Sequence, residues 1–289
     1  MRILLVGKRG QLGHELNRLL TSTTEHEVTA LDSTQLDLAR PAELTTAIET
    51  IKPDLLINAA AYTAVDKAES EPELATAINA HAPGIMAEAL AKSGGAMIHY
   101  STDYVFDGNA SKPYRETDAT SPQSVYGQSK LSGELAIQDS GVAAIIFRTS
   151  WVYGEHGNNF LLTMRRLMQE RPELGVVNDQ TGSPTWSLEL ATATLKIIQQ
   201  SKDSPGWFDD KKGLYHMSCA GQTTWYGFAM KIAQQLEAQG KKVARIKPIT
   251  TAKYPTPAKR PGYSVLDNSL LGRTFSVQLP DWQDFFKNR

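Results

Sequence analysis

A chain of 289 residues, 41% hydrophobic and 21% charged, is long enough to bury a large core. Its formal net charge of −1 leaves no electrostatic footprint for nucleic acid or an acidic membrane, so neither is an expected partner. The single cysteine, Cys219, excludes an internal disulfide and a cysteine-rich metal site. No apolar run approaches a spanning helix or a signal peptide, and a cytoplasmic protein is expected.

Ile3 to Val6 is a continuous apolar run, as expected of a strand buried on both faces of a parallel sheet. Gly7, Gly10 and Gly13 follow, with Gln11 and Leu12 between the last two, and then a helical pattern begins. Strand, glycine loop and helix form the context of a dinucleotide site, where the backbone approaches a pyrophosphate at a helix N-terminus. The spacing Gly-x-x-Gly-x-x-Gly departs from the usual Gly-x-Gly-x-x-Gly. Val28 to Asp32 is the second expected strand, and its terminal acid lies where a carboxylate would meet an adenosine ribose, which favours NAD. Lys8 and Arg9 pull toward NADP, because they could hold a 2′-phosphate. Asp37 and Leu38, ahead of a helix opened by Pro41, could place a carboxylate near the adenine amino group.

Pro53 to Ala61 reads as a buried strand ending in Asn58-Ala59-Ala60-Ala61, small side chains that would let a flat cofactor pass close, with Tyr62 and Thr63 next. Residues 64–91 are helical in pattern, with a break near Pro72. Ala96 to Tyr100 is a further strand. It delivers Ser101-Thr102-Asp103-Tyr104 to a strand C-terminal end, the edge where open α/β sheets bind ligands. His99, mid-strand, reads as a satisfied core histidine. Tyr126 and Lys130 are four residues apart, so on a helix both side chains leave one face. A phenol titrates near about 10, and an ammonium held beside it lowers that value, so Tyr-x-x-x-Lys is a compact acid/base device. Val142 to Arg148 is another buried strand, and the alternation predicts a doubly wound parallel sheet.

In the second half, 159–171 is amphipathic, 173–177 is a short strand, 179–185 is a polar loop, and 187–199 is a helix. Residues 201–213, with Pro205 and Gly206, read as an exposed connector. Residues 214–217 form a strand and 223–239 a helix opened by a threonine cap. Tyr254 to Pro261 cannot be helical, and its Lys259 and Arg260 could meet a diphosphate. Cys219 reads as a packed residue.

Four features occur together: the glycine loop, Asn58-Ala59-Ala60-Ala61, the strand-end hydroxyl of Thr102, and Tyr126-x-x-x-Lys130. Together they resemble the extended short-chain dehydrogenase/reductase superfamily. The strings His99 to Gly108, Arg148 to Gly154, Asn158-Asn159-Phe160, Asn178 to Thr185 and Arg260-Pro261 are more narrowly similar to dTDP-4-dehydrorhamnose reductases, from Met1 to about Trp282. The resemblance implies a Rossmann domain over 1–150. It also implies a smaller, discontinuous, mainly substrate-binding lobe over 151–289, with segments returning to the Rossmann core.

The resemblance further implies reduction of the C4 ketone of dTDP-4-dehydro-L-rhamnose to dTDP-L-rhamnose, a donor sugar for surface polysaccharide. Tyr126 would give the proton. Lys130 would hold the nicotinamide ribose and depress the Tyr126 pKa. Thr102 would hydrogen-bond the C4 oxygen. Asp103 and Tyr104 would face the sugar, and Trp151 would wall its pocket. Asn159, Gln180 and Arg260 complete the expected substrate set. NADPH is the expected cofactor, with NADH as the alternative. No metal site is assigned: Glu15 and Glu189 are two scattered acids, and a Mg²⁺ requirement stays open, as does a homodimer. The competing readings are a nucleotide-sugar epimerase or dehydratase of the same superfamily, and a non-catalytic NADP-binding regulatory subunit.

Overall fold

A computed structural model describes residues 1–204 and 206–287. The first half alternates strand and helix. It comprises β1 (Arg2–Val6), α1 (Gln11–Thr23), β2 (Glu27–Leu31), α2 (Pro41–Ile51), β3 (Leu55–Asn58), α3 (Val65–Ala68), α4 (Pro72–Thr76), a π-helical turn (Ala77–His81), α5 (Ala82–Ser93), β4 (Ala96–Thr102), α6 (Val125–Asp139) and β5 (Ala143–Thr149). The second half begins with β6 (Val152–Tyr153), α7 (Phe160–Glu170), β7 (Glu173–Val177), β8 (Thr181–Gly182), β9 (Thr185–Trp186) and α8 (Ser187–Gln200). It continues with α9 (Gly206–Lys211), β10 (Gly213–His216), β11 (Thr223–Thr224), α10 (Trp225–Ala238), β12 (Arg245–Ile249) and α11 (Ser269–Phe275).

Six strands form one parallel sheet in the order β2-β1-β3-β4-β5-β10. The unbroken apolar runs follow from burial on both faces. Ile3, Leu5, Leu55, Ile57 and Ile98 point to one face, beneath α1 and α8, while Leu4, Val6, Leu56 and Met97 point to the other, beneath α2, α5 and α6. The chain runs from β1 outward to β2, then returns to β3 on the other side of β1. The strand order therefore reverses at β1, and ligands collect outside the strand C-termini at such a point. No helix among the described residues is long and apolar enough to cross a membrane.

Two segments depart from the sequence reading. The expected connector 201–213 contains α9, whose Phe208 is fully buried against the sheet while Asp209 and Asp210 face outward. Pro205 lies outside the described residues. Residues 245–249, not anticipated as a strand, pair in parallel with β7 as a two-stranded ribbon. Its lysine, arginine and proline hid it, since these residues are at home on an exposed edge.

Candidate active site

The glycine loop is held where β1 meets α1. Gly7 has φ +93°, a left-handed conformation natural only to glycine, and a Cβ there would lie 2.8 Å from the Ala60 amide nitrogen. A Cβ on Gly13 would strike the Gly7 carbonyl, so Gly13 lets α1 press against its own loop. The loop and the end of β3 thus touch, and a groove of about 520 Å³ opens over them. Of the expected cofactor residues, Gly7, Gly10, Gln11, Leu12, Asp32, Asp37, Leu38, Ala60, Ala61, Thr63, Tyr126 and Lys130 line it. Gly13 supports the loop from behind. Tyr62 does not line the groove, and its hydroxyl donates to Glu71 at 2.6 Å.

Arg9, read from the sequence as a possible 2′-phosphate partner, lines the groove, as do Ser101, Thr149 and Asn158, which were not assigned to the cofactor site from sequence alone. Ser101 and Thr149 sit at the C-terminal ends of β4 and β5, and that position was the signal that could have found them. The Ser101 Oγ, Thr149 Oγ1 and Gln11 Oε1 atoms are buried without a hydrogen-bond partner among the described residues. Buried polar atoms of that kind are costly unless a ligand or water satisfies them.

Asp32 closes the β2 end of the groove. Its Oδ1 accepts from the Thr34 amide at 2.9 Å and hydroxyl at 2.6 Å, and its Oδ2 lies 3.1 Å from Arg9 Nε and 3.7 Å from Lys8 Nζ. The Thr34 hydrogen bonds first, and then the two cations, hold this carboxyl below the usual range. The conflict read from the sequence is therefore a contact in space, with the acid and the bases gripping each other.

Ser124 caps α6, its Oγ accepting from the Gly127 amide at 3.2 Å. The helix packs so tightly on the segment after β4 that a Cβ on Gly127 would collide with the Tyr104 carbonyl. Tyr126 is thereby aimed at the end of β4. Its phenol faces the Thr102 hydroxyl, and its ring meets Tyr104 edge-on at 5.4 Å. Thr102 Oγ1 also donates to Asp103 Oδ1 at 3.1 Å and accepts from the Tyr104 amide at 3.2 Å.

The charge on Lys130 does not behave as the spacing suggested. Burial pushes the Tyr126 phenol above its ordinary range, with Thr102 opposing, and the lysine supplies no lowering. The Lys130 amine instead donates to the Tyr100 carbonyl at 2.6 Å and lies 3.1 Å from His99 Nε2. Burial pushes Lys130 down to about 8, against the pull of Glu134. A shared helix face fixes direction, not distance, and in this chain the amine is turned down into the sheet.

The expected substrate residues fall into two groups. Near Tyr126, Asp103 is buried, and that burial raises its carboxyl to about 6. The Arg260 guanidinium donates to the Tyr104 hydroxyl at 3.0 Å and to Asp66 at 2.7 Å, so the proline-stiffened strap reaches the Tyr104–Tyr126 pair. In the second group, Trp151 has φ +46° and stacks on Trp225 at 3.5 Å, with Gly182 at its edge. The Gln180 amide donates to Thr251 at 3.1 Å and accepts from the Trp225 indole at 3.2 Å. Asn159 caps α7, accepting from the Leu162 amide at 3.1 Å and donating to the Gly154 carbonyl at 2.9 Å. The amides of Gln180 and Asn159 are thus engaged in holding loops. Glu15 is paired with Arg18, and among the described residues no group of three or more His, Cys, Asp or Glu could hold a metal ion.

The profile of the RmlD substrate binding domain matches residues 1–288. The chain belongs to the dTDP-4-dehydrorhamnose reductase family. A family member from Burkholderia thailandensis is 46% identical over 287 residues, covering 98% of this chain and 96% of its own. Another, from Escherichia coli, is 45% identical over 287 residues, covering 98% and 95%. Among solved structures of the family, that from Clostridium acetobutylicum superposes with a TM-score of 0.90 at 39% identity, covering 99% of this chain and 97% of its own. The Bacillus anthracis member, solved in complex with NADP, also gives a TM-score of 0.90, at 35% identity with 99% and 97% covered.

Proposed function

We propose that this chain is the reductase its family membership names, an oxidoreductase that converts dTDP-4-dehydro-L-rhamnose to dTDP-L-rhamnose with a reduced nicotinamide. The observation that carries this reading is that Tyr126 and Lys130 line one groove at the strand-order reversal, with Thr102 beside the Tyr126 phenol. The groove suits a dinucleotide: it has a glycine loop no side chain could replace, a helix N-terminus, and buried donors and acceptors awaiting partners. Gly7, Gly10 and the first amides of α1 would hold the pyrophosphate, and Ser101 and Thr149 would meet polar groups deeper in. When bound, the reduced nicotinamide supplies the hydride.

The chain supplies the rest. Tyr126, kept protonated by its burial, donates to the substrate oxygen as negative charge develops there, and the Thr102 hydroxyl shares that charge. Arg260 and Trp151 would face the nucleotide and sugar portions. Residues 1–150 would act mainly on the cofactor and 151–289 mainly on the sugar nucleotide, with α8, α9 and β10 returning to the sheet. The test is oxidation of added NADPH or NADH, followed optically, with dTDP-4-dehydro-L-rhamnose. Stoichiometric consumption is the expected result, and turnover with no net consumption would mean an epimerase or dehydratase that recycles its cofactor.

NADPH is the proposed preferred cofactor, with NADH accepted. Arg9 is 70% exposed and already paired with an anion, so a 2′-phosphate would compete with Asp32 for the same guanidinium. Arg9→Ala is expected to raise the KM for NADPH about tenfold, the low end for an exposed charge-assisted hydrogen bond, while that for NADH hardly moves. Steady-state kinetics with each cofactor would show whether the two respond alike, which would rule Arg9 out as the discriminating group.

A further inference from the structure

The residues beneath Lys130 set its proton count. Asn58 ends β3, and its Oδ1 accepts from the Ala60 amide at 3.1 Å, a backbone donor that fixes which way the side-chain amide faces. Its NH₂ is thereby turned to His99 Nδ1 at 3.2 Å. A donor facing Nδ1 requires a lone pair there, so a neutral imidazole carries its hydrogen on Nε2. That Nε2 lies 3.1 Å from Lys130 Nζ. An N–H pointing at an ammonium leaves two donors face to face. The same N–H pointing at a neutral amine makes a hydrogen bond, and the amine still has hydrogens for the Tyr100 carbonyl at 2.6 Å. His99 and Asn58 are both fully buried, so water cannot relieve the mismatch.

We propose that His99 is a positioning residue: held as its Nε2–H tautomer by Asn58, it donates to Lys130 and biases that lysine toward its neutral amine form in the cofactor-free enzyme. Protonating Lys130 then requires the imidazole to reverse its tautomer and Asn58 to turn away from Ala60, at the cost of a hydrogen bond. The other groups facing this amine are accounted for. Glu134, one turn along α6, favours the charged form, but Arg148 neutralises that carboxylate as a buried pair with Nη2–Oε2 2.6 Å. Tyr126, one turn back, is an uncharged phenol, and the buried Asp103 beside it acts on that phenol, raising it further, while the groups that shift the Lys130 amine are its burial and Glu134. The burial already noted acts in the same direction as His99. This inference rests on the reductase reading for its meaning. A neutral neighbour leaves the Tyr126 phenol protonated, which is the form that reduction of a ketone consumes.

The test begins with ¹⁵N NMR of the His99 ring in the cofactor-free enzyme, which needs no substrate and so stands apart from the assignment of function. Neutral Nε2–H is expected at pH 7, and an Nδ1–H or doubly protonated ring would overturn the proposal. The Lys130 midpoint is then followed by ¹³C NMR of lysine Cε, assigned with Lys130→Arg. In His99→Gln the side-chain carbonyl can turn to the lysine, so its proton affinity is expected to rise about tenfold, and the pH at which kcat/KM breaks is expected to rise with it. A folded His99→Gln variant with the wild-type midpoint and pH profile would reduce His99 to packing and end the proposal.

Discussion

Tyr126→Phe is expected to lower kcat by about a thousandfold, within the range by which positioned acid/base groups contribute. In the proposed mechanism Tyr126 is the proton donor, and no neighbouring side chain among the described residues is placed to replace it. The Thr102 hydroxyl is a far weaker acid than a phenol and shares the charge only by turning from Asp103 Oδ1, 3.1 Å away, and the Lys130 amine donates to the Tyr100 carbonyl. The ring of phenylalanine keeps the edge contact with Tyr104, so the fold and the groove should persist. Cofactor affinity, measured by fluorescence titration, is therefore expected to stay near wild type while turnover falls. A loss of binding equal to the loss of turnover would show that the phenol holds the cofactor and does not serve as the acid.

The second large effect is on stability. Arg148, at the end of β5, and Glu134, on α6, form a two-pronged pair with side chains only 4% and 2% exposed, and the guanidinium also lies 5.0 Å from the centre of the Phe106 ring. Arg148→Met would leave a carboxylate in the interior without its partner, which typically costs about 3–5 kcal/mol. Arg148→Met combined with Glu134→Leu is expected to recover most of that loss, because two apolar side chains carry no desolvation penalty. Urea unfolding of the three proteins would separate the cases. A single variant as stable as wild type would mean that water reaches the pair. Since α6 carries both Tyr126 and Lys130, a loosened pair should also reach the active site, and the single variant should lose activity before it unfolds.

The sequence made the scaffold legible where burial writes a simple pattern. The apolar runs within Ile3–Val6, Pro53–Ala61, Ala96–Tyr100 and Val142–Arg148 announced a sheet covered on both faces, and small residues after β3 announced a close backbone approach. Tyr126 and Lys130 were legible as a pair because helical spacing is local. The partners of Lys130 were not, since His99 and Tyr100 come from a strand about thirty residues earlier and no spacing rule links them. Helix α9 was obscured because one buried phenylalanine among acids and lysines makes too short a signal to outweigh the polar run around it. Gln180 and Asn159 were recognisable as belonging to characteristic strings, but a string cannot say whether an amide faces a ligand or fastens a loop.

The strand that completes the sheet has a consequence for synthesis. Gly213–His216 takes the outermost place beside Ala143–Thr149, and Ser187–Gln200 covers one side of the layers formed much earlier. A growing polypeptide therefore leaves the ribosome with an open hydrogen-bonding edge and a bare apolar flank until nearly three quarters of it has emerged. The first 150 residues are thus not a unit of assembly, and a truncation after residue 150 would be a sticky fragment instead of a small independent protein.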